Sequence, residues 1–133
     1  MNRQQLEAVT ARWLAAVRTA NLAEFEALTT PDVLDLSTGQ RASARVFQER
    51  ARALHDVFDG LTGRIEELVI EGDRLAWRWT LLGQQRAPFL GEPASGRAIT
   101  LSGVNFQRQT GGRVSEHYTL FDALGAIRQM RGA

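Results

Sequence analysis

The chain has 133 residues, with 16 basic and 15 acidic side chains and no cysteine. This length favours one domain over residues 1–133, and the lack of cysteine excludes disulfides and thiolate metal sites. The basic residues are scattered, which argues against a nucleic-acid partner. No apolar run approaches the roughly 20 residues of a membrane span, and residues 1–7 are too polar for a secretory signal, so we expect a soluble, cytoplasmic protein without a membrane partner.

The first half of the chain has the periodicity of helices. Apolar residues three and four positions apart predict a helix over residues 3–20, a short helix over 22–29 and a third helix over 43–58. Pro31 ends the second helix, because proline disfavours helical geometry at the residue before it. Residues 32–36 then form a short predicted strand.

The second half changes to the alternating pattern of strands. Strands are predicted from Ile65 to a turn at residues 71–73, over 75–82, over 98–108 and over 113–122, followed by a helix over 123–130. Residues 83–96 form a loop. Helices followed by antiparallel strands indicate an α+β fold, in which a cone-shaped, curved antiparallel sheet is packed by the N-terminal helices. The interior of such a cone is where a ligand pocket would form.

The strand over residues 113–122 carries most of the candidate chemistry. Alternation puts Glu116, Tyr118 and Asp122 on one face, provided that no bulge intervenes, and we take this face to line the pocket. In an apolar pocket Asp122 would have a raised pKa and could act as a general acid or base, yet it is equally suited to cap the following helix. Glu116 is more typical of an ion-pair partner for an arginine. His117 falls on the opposite face, outside the pocket.

Aromatic side chains and Gln85 provide the other pocket candidates. Trp77 and Trp79 share a face of the neighbouring strand, where they form either core or an apolar wall on which a flat ligand can stack. Trp13 lies on the apolar stripe of the first helix, where it is either a core residue or part of the closed end of the pocket. Gln85 and Asn105 are strand amides that need hydrogen-bond partners if buried, and Asn105 could instead face solvent or a partner subunit. The two histidines lie far apart in the sequence and form no metal-ligand motif, so no metal is expected.

Three segments of the second half share order and spacing with a known family. They are E-G-D-R-L-A-W-R-W at residues 71–79, F-L-G-E-P-A-S-G at residues 89–96, and a series that runs from Gly103-Val104 through Glu116-x-Tyr118 and Asp122 to Gln129. In these features the chain resembles the SnoaL-like polyketide (ester) cyclases of the nuclear-transport-factor-2-like superfamily.

The resemblance implies a cone-shaped fold and a cofactor-free enzyme with an aspartate acid/base, which is Asp122 in this sequence. It also implies that the loop carrying Phe89 borders the substrate. Members usually form dimers through the sheet face, so we expect a homodimer, for which Ile99 and Leu101 alternate on one side of a long strand. Two histidines common in the family are absent: Gln85 stands at one position, and a leucine follows Asp35 at the other.

The leading hypothesis is aldol-type cyclisation, or a related proton-transfer isomerisation, of a hydrophobic, polyketide-like ketone. Asp122 would be the acid/base, Tyr118 and Gln85 would stabilise the oxygen, and the two tryptophans of the 75–82 strand would shape the pocket. A second hypothesis, favoured by the missing histidines, is a binding or assembly module without catalysis. A third is ketosteroid-isomerase-like or hydratase chemistry that uses Asp35 with Tyr118, and it requires Asp35 to point inward.

Overall fold

The computed structural model describes residues 1–133 and contains four helices and six strands. All predicted helices and strands are present, and one short strand is additional. None of the helices is long and apolar enough to cross a membrane. The helices are α1 (Arg3–Thr19), α2 (Leu22–Leu28), α3 (Ala44–Val57) and α4 (Ala123–Arg131), and the strands are β1 (Thr29–Asp35), β2 (Gln40–Ala42), β3 (Phe58–Glu71), β4 (Arg74–Gln85), β5 (Ala98–Thr110) and β6 (Arg113–Phe121).

The six strands form one curled sheet in the order β2-β1-β6-β5-β4-β3, and its two edge strands do not pair with each other. Every pairing is antiparallel except that of β1 with β6, which is parallel. Helices α1, α2 and α3 cover the concave face. The predicted α+β architecture is therefore confirmed, with one parallel pairing in the otherwise antiparallel sheet.

Side-chain caps fix where three of the helices begin. Asn2 accepts a hydrogen bond from the backbone N–H of Gln5, whose side chain accepts one from the N–H of Asn2 in return. Asn21 and Asp122 cap α2 and α4 with one hydrogen bond each, in which the side-chain oxygen accepts from the backbone N–H three residues later. Each cap satisfies an N–H group that has no partner within its helix, which explains why these boundaries are predictable from the sequence.

Strand β3 is longer than the sequence predicts. It begins at Phe58, directly after α3, seven residues before the predicted start at Ile65. Two register shifts against β4 interrupt the alternation that would identify it as one strand. A Cβ atom at Gly63 would lie 2.6 Å from Leu81 Cδ2, so a larger residue in this position would have to displace the Leu81 side chain.

A β-bulge in β6 changes which of its side chains face inward. Arg108 of β5 pairs with Glu116, and the next residue, Gln109, pairs with Val114. Ser115 is therefore an extra residue in the ladder between β5 and β6. Because side chains alternate along a regular strand, one extra residue exchanges the two faces of every position that follows it.

The bulge reverses the faces predicted for β6. His117, Thr119 and Phe121 point toward the concave side, where they line a cavity. Tyr118 packs instead against Phe106 on the convex side, with ring centroids 6.2 Å apart. The predicted inward face was wrong because the alternation was continued through Ser115.

The apolar core lies between the helices and the concave face of the sheet, and 21 buried apolar side chains form it. Ile99 and Leu101 belong to this core and are 0% and 2% exposed. The prediction that these two residues mark a dimer surface is therefore wrong, since their side of β5 faces the helices. The convex side of the sheet instead exposes Phe106 and Leu120.

Candidate functional site

The concave face of the sheet and the helices above it enclose a cavity of about 380 Å³. Of the 19 residues that line this cavity, 15 are hydrophobic. Its size and composition are typical of a site for a small, mostly apolar ligand. The aromatic lining consists of Trp13, Phe25, Phe47, Trp77, Trp79, Phe89 and Phe121, and the polar lining consists of Arg50, Asn105, His117 and Thr119.

Asn105 is held in one orientation by Trp79. The indole N–H of Trp79 donates to Asn105 Oδ1 at 2.9 Å, and because an indole nitrogen can only donate, the oxygen of the amide must face it. Gly103 leaves room for this indole against β5, since a Cβ atom at residue 103 would lie 2.3 Å from Trp79 Cζ2. The amide nitrogen of Asn105 has no hydrogen-bond partner in the protein.

A second tryptophan orients His117 through an amide. The indole N–H of Trp77 donates to Gln107 Oε1 at 3.2 Å, which turns Gln107 Nε2 toward His117 Nδ1 at 3.0 Å. Because Gln107 Nε2 can only donate, Nδ1 of His117 is the acceptor. The proton of the neutral imidazole is therefore on Nε2, the ring nitrogen with no partner in the protein.

The ring of His117 is buried between aromatic side chains. Its centroid lies 4.8 Å from that of the Trp13 ring and 5.2 Å from that of Phe47. Burial lowers the pKa of His117 to about 4, while the Asp35 carboxylate raises it and the Arg50 guanidinium lowers it further. His117 is consequently neutral at pH 7 and offers the cavity an N–H donor without a charge.

Asp35 and Arg50 form an ion pair at the edge of the cavity. Asp35, at the end of β1, is fully buried, and Arg50 Nη2 donates to its Oδ2 at 2.5 Å. Burial raises the pKa of Asp35, but the hydrogen bond and charge of Arg50, together with hydrogen bonds from Ser37 and Thr38, hold it below its usual value. Arg50 lines the cavity and lies 5.6 Å from the Phe47 ring centroid, whereas Asp35 does not reach the lining.

No group of three or more histidine, aspartate or glutamate side chains is arranged to hold a metal ion.

The family model described as SnoaL-like polyketide cyclase matches residues 7–130, which is most of the chain. The chain belongs to the SnoaL-like polyketide cyclase family. The resemblance seen in the sequence is thus confirmed, although the sequence has no significant match among curated proteins.

Solved structures share the fold of this SnoaL-like chain. TsrD from Streptomyces laurentii is 23% identical with a TM-score of 0.88, and the match covers 100% of this chain and 99% of TsrD. A SnoaL-like polyketide cyclase from Agrobacterium tumefaciens is 17% identical with a TM-score of 0.80, covering 94% and 97%. IdmH from Streptomyces antibioticus is 21% identical with a TM-score of 0.79, covering 96% and 98%. At these identities the likeness shows the nuclear-transport-factor-2-like fold alone, as predicted.

Four of the predicted substrate-binding residues line the cavity of this SnoaL-like domain. Trp77 and Trp79 come from β4, Trp13 comes from α1, and Phe89 comes from the loop that follows β4. Phe89 packs edge-on against Phe58 and faces Phe121, so the loop closes one end of the cavity. Contact of these residues with a substrate stays a prediction.

Glu116 and Tyr118 do not reach the cavity of the SnoaL-like domain. The bulge turns both side chains to the convex face of the sheet, where Glu116 forms an ion pair with Arg108. Asp35 points inward, as the third hypothesis requires, but Tyr118 lies on the other face of the sheet. A single ligand cannot contact Asp35 and Tyr118 from the same side, so the pairing of these two residues in one site is wrong.

Asp122 follows the cavity residue Phe121 and begins α4. Its Oδ1 accepts a hydrogen bond from the backbone N–H of Gly125 at 2.8 Å, and the residue is exposed. It is not among the residues that line the cavity. The capping role expected from the sequence is present, and an acid/base role for Asp122 stays a prediction.

Gln85 is fully buried and holds the loop over residues 86–97 in place. Its Nε2 donates to the carbonyl oxygens of Ala87 and Pro93, and its Oε1 accepts from the N–H and hydroxyl of Ser95. These four hydrogen bonds occupy the whole amide. Gln85 therefore supports the loop that carries Phe89, and stabilisation of a substrate oxygen by Gln85 stays a prediction.

Three residues of the cavity lining, His117, Asn105 and Arg50, are not predicted as pocket residues from the sequence. His117 was assigned to the outer face because the bulge was not anticipated. A signal was present in β5, where amides recur at every second residue as Asn105, Gln107 and Gln109. Two buried indole N–H groups on the neighbouring strand need acceptors, and this row of amides supplies them.

Proposed function

We propose that this SnoaL-like protein binds a hydrophobic, ring-containing, polyketide-like ketone and promotes its aldol-type cyclisation, or a related proton-transfer isomerisation, without a cofactor. The observation that carries the proposal is an apolar cavity with hydrogen-bond donors from Asn105 and His117 on one wall. Aromatic side chains suit the ring system of such a ligand, and the two donors suit its carbonyl oxygen.

In this proposal the donors act on the charge that develops during the reaction. Removal of a proton from the carbon next to the carbonyl moves an electron pair onto the oxygen and forms an enolate. N–H groups of Asn105 and His117 would stabilise that oxygen in a site from which water is excluded. The enolate carbon then attacks a second carbonyl of the same molecule, and the new alkoxide takes up a proton.

Asp122 is our proposed acid/base for both proton transfers. It follows Phe121, a cavity residue, and only one of its carboxylate oxygens is hydrogen-bonded to the helix. The ionised carboxylate would accept the proton from carbon and return it to the alkoxide, so the enzyme ends in its starting state. The cap would hold the carboxylate in one orientation during both steps.

The test uses two variants that separate catalysis from capping. Asp122→Asn keeps a helix cap, because asparagine and aspartate cap equally well, whereas Asp122→Ala removes it at a cost of about 1 kcal/mol. Turnover of a panel of polyketide-type ketones would be measured by chromatography for both variants. We expect Asp122→Asn to lower the turnover rate by about 100-fold or more with an unchanged melting temperature. Unchanged turnover in Asp122→Asn would remove Asp122 from the mechanism.

A non-catalytic binding module is the second candidate. It is favoured by the absence of any carboxylate from the cavity lining, since Asp122 is a cap and Asp35 is paired with Arg50. This alternative predicts that the same ketones bind and are recovered unchanged. Calorimetric binding measurements next to the turnover assay would distinguish the two candidates.

A further inference from the structure

The two tryptophans of β4 fix the orientation of the amides beside the cavity. Trp79 holds the oxygen of Asn105, and Trp77 holds the oxygen of Gln107. Both amide oxygens are thereby turned to an indole. The side-chain nitrogen of Asn105 is left without a partner. The side-chain nitrogen of Gln107 donates to Nδ1 of His117, which is the one ring atom of this histidine that can accept.

The unpaired polar atoms of the lining are donors. Trp13 Nε1, Asn105 Nδ2 and His117 Nε2 have no hydrogen-bond partner in the protein. The fully buried side-chain atoms that lack a partner belong only to Gln109, so these three N–H groups are open to the cavity that their residues line. Arg50 adds N–H groups at the edge, and the hydroxyl of Thr119 is the one lining group that can also accept.

We propose that this cavity selects its ligand by hydrogen-bond polarity: it takes a planar, ring-conjugated ketone and discriminates against the alcohol of the same shape. Trp77 and Trp79 are the specificity-determining residues, because they fix the orientation of the amides. The inference rests on the ligand-binding part of the proposed function and is independent of Asp122.

The physical reason lies in what each oxygen leaves unpaired. A carbonyl oxygen accepts hydrogen bonds and donates none, so the N–H groups of Asn105 and His117 satisfy it. A hydroxyl group in the same position carries a hydrogen that the N–H groups of Asn105 and His117 cannot accept. A buried donor without an acceptor is costly. Sites that pair with a specific polar group reject the analogue that lacks it far more strongly than apolar pockets reject an extra methylene.

The test compares fluorenone with fluorenol, two tricyclic compounds that differ in the oxidation state of one carbon. Titration calorimetry gives the dissociation constant of each compound. We expect wild-type protein to bind fluorenone at least about fivefold more tightly than fluorenol. In Trp79→Phe the indole N–H is gone and Asn105 can rotate to offer its oxygen, so the preference should fall to within about twofold.

Phe89→Leu is the matched control, because Phe89 lines the same cavity and forms no hydrogen bond to an amide. It should weaken the binding of both compounds and leave the ratio of their dissociation constants unchanged. The proposal is overturned if the two dissociation constants are nearly equal in the wild type, or if their ratio is unchanged in Trp79→Phe. Absence of binding by both compounds overturns it together with the ligand class in the proposed function. If the expected ratio of dissociation constants is found but no ketone is turned over, only the catalytic part of the proposed function is contradicted.

Histidine side-chain NMR of the unliganded protein provides a second measurement that needs no ligand. The wild-type spectrum should show His117 as the tautomer protonated on Nε2. Trp77→Phe releases Gln107, so a fraction of His117 should move to the tautomer protonated on Nδ1. A wild-type protein with the proton on Nδ1 would contradict the proposed polarity, whichever compound binds.

Discussion

The charge of His117 is determined by its surroundings. Trp13 and Phe47 exclude water from the ring, and Gln107 donates to its Nδ1. The opposite charges of Asp35 and Arg50 act on the imidazole in opposite directions, so burial has the largest effect. The folded protein therefore keeps this ring neutral at pH values where an exposed histidine would be protonated.

His117 should make the folded state sensitive to mild acid. Its pKa is about 4 when folded and near 6.5 when unfolded, so between these values the unfolded chain binds more protons. The stabilisation is complete above about pH 6.5 and is lost as the pH falls toward 4, by roughly 3 kcal/mol in total. Asp35, whose pKa is held below its usual 3.8, loses its contribution only at lower pH.

Urea unfolding at pH 7 and at about pH 4.5 checks this expectation. His117→Gln should show a much smaller loss of unfolding free energy between the two pH values than the wild type. His55→Gln, which changes an exposed histidine on α3, should retain the wild-type loss. If all three proteins lost the same unfolding free energy between the two pH values, His117 would be already protonated in the folded state or would not be buried.

At the residue scale, the apolar part of the site could be predicted and the polar part could not. Trp13, Trp77 and Trp79 were identified because they lie on regular elements, where periodicity gives the inward face. His117 and Tyr118 exchanged faces because of one extra residue, Ser115. No period-two pattern contains that information, because it depends on how two strands align in space.

At the scale of elements, the loop over residues 86–97 depends on one buried amide. All four hydrogen-bonding positions of Gln85 are occupied by this loop. The loop carries Phe89 across the cavity, and Leu90 has a left-handed backbone with φ of 53°. An L-residue holds such a conformation only when its surroundings fix it, so Gln85 contributes to the shape of the cavity end that this loop closes.

Gln85→Leu should loosen this loop. The change leaves the N–H of Ser95 and two carbonyl oxygens without their partner, at a cost of about 3 kcal/mol. Amide hydrogen exchange over residues 86–96 should become much faster, while exchange in the centre of β5 changes little. The comparison of the two segments separates loosening of the loop from a loss of global stability.

Gln109→Leu is the matched control, because both polar atoms of this buried glutamine are unpaired. Replacement of an unpaired buried amide by a side chain of similar size should leave stability unchanged or increase it. Equal effects of the two substitutions would show that the hydrogen bonds of Gln85 do not hold the loop.

The order of elements was predictable, but their lengths were less so. Caps at Asn2, Asn21 and Asp122 mark helix starts in the sequence itself, since they act within three residues. The start of β3 was missed because its register shifts and glycines imitate a turn. The parallel pairing of β1 with β6 joins distant parts of the chain, and no local signal encodes it.

At the scale of the whole molecule, the convex side of the sheet carries an apolar patch formed by Phe106, Tyr118 and Leu120. Phe106 pairs across the strands with Tyr118, and Phe106 and Leu120 are 51% and 59% exposed. The ion pair of Arg108 with Glu116 borders the patch. An apolar centre with a charged border is typical of an interface, and we propose that two copies associate through this face.

Phe106→Glu should therefore produce a monomer. The added charge would be buried against a second copy of the same patch, and its desolvation would oppose association. Light scattering should give twice the mass of the chain for the wild type and the mass of one chain for the variant. Leu124→Glu changes an equally exposed leucine on α4 and should remain a dimer. A monomeric wild type would contradict the proposal.

The bulge at Ser115 has a consequence for how this chain can tolerate length changes during evolution. The hydroxyl of Ser115 is 2.7 Å from Thr110 Oγ1, so the irregularity sits beside the hairpin and away from the cavity. Deletion of Ser115 would make the ladder regular and would still leave Val114 and His117 inward. An insertion or deletion at the hairpin can thus be accommodated at this position. The part of β6 that lines the cavity then keeps its register with β5 while the sequence of the hairpin changes.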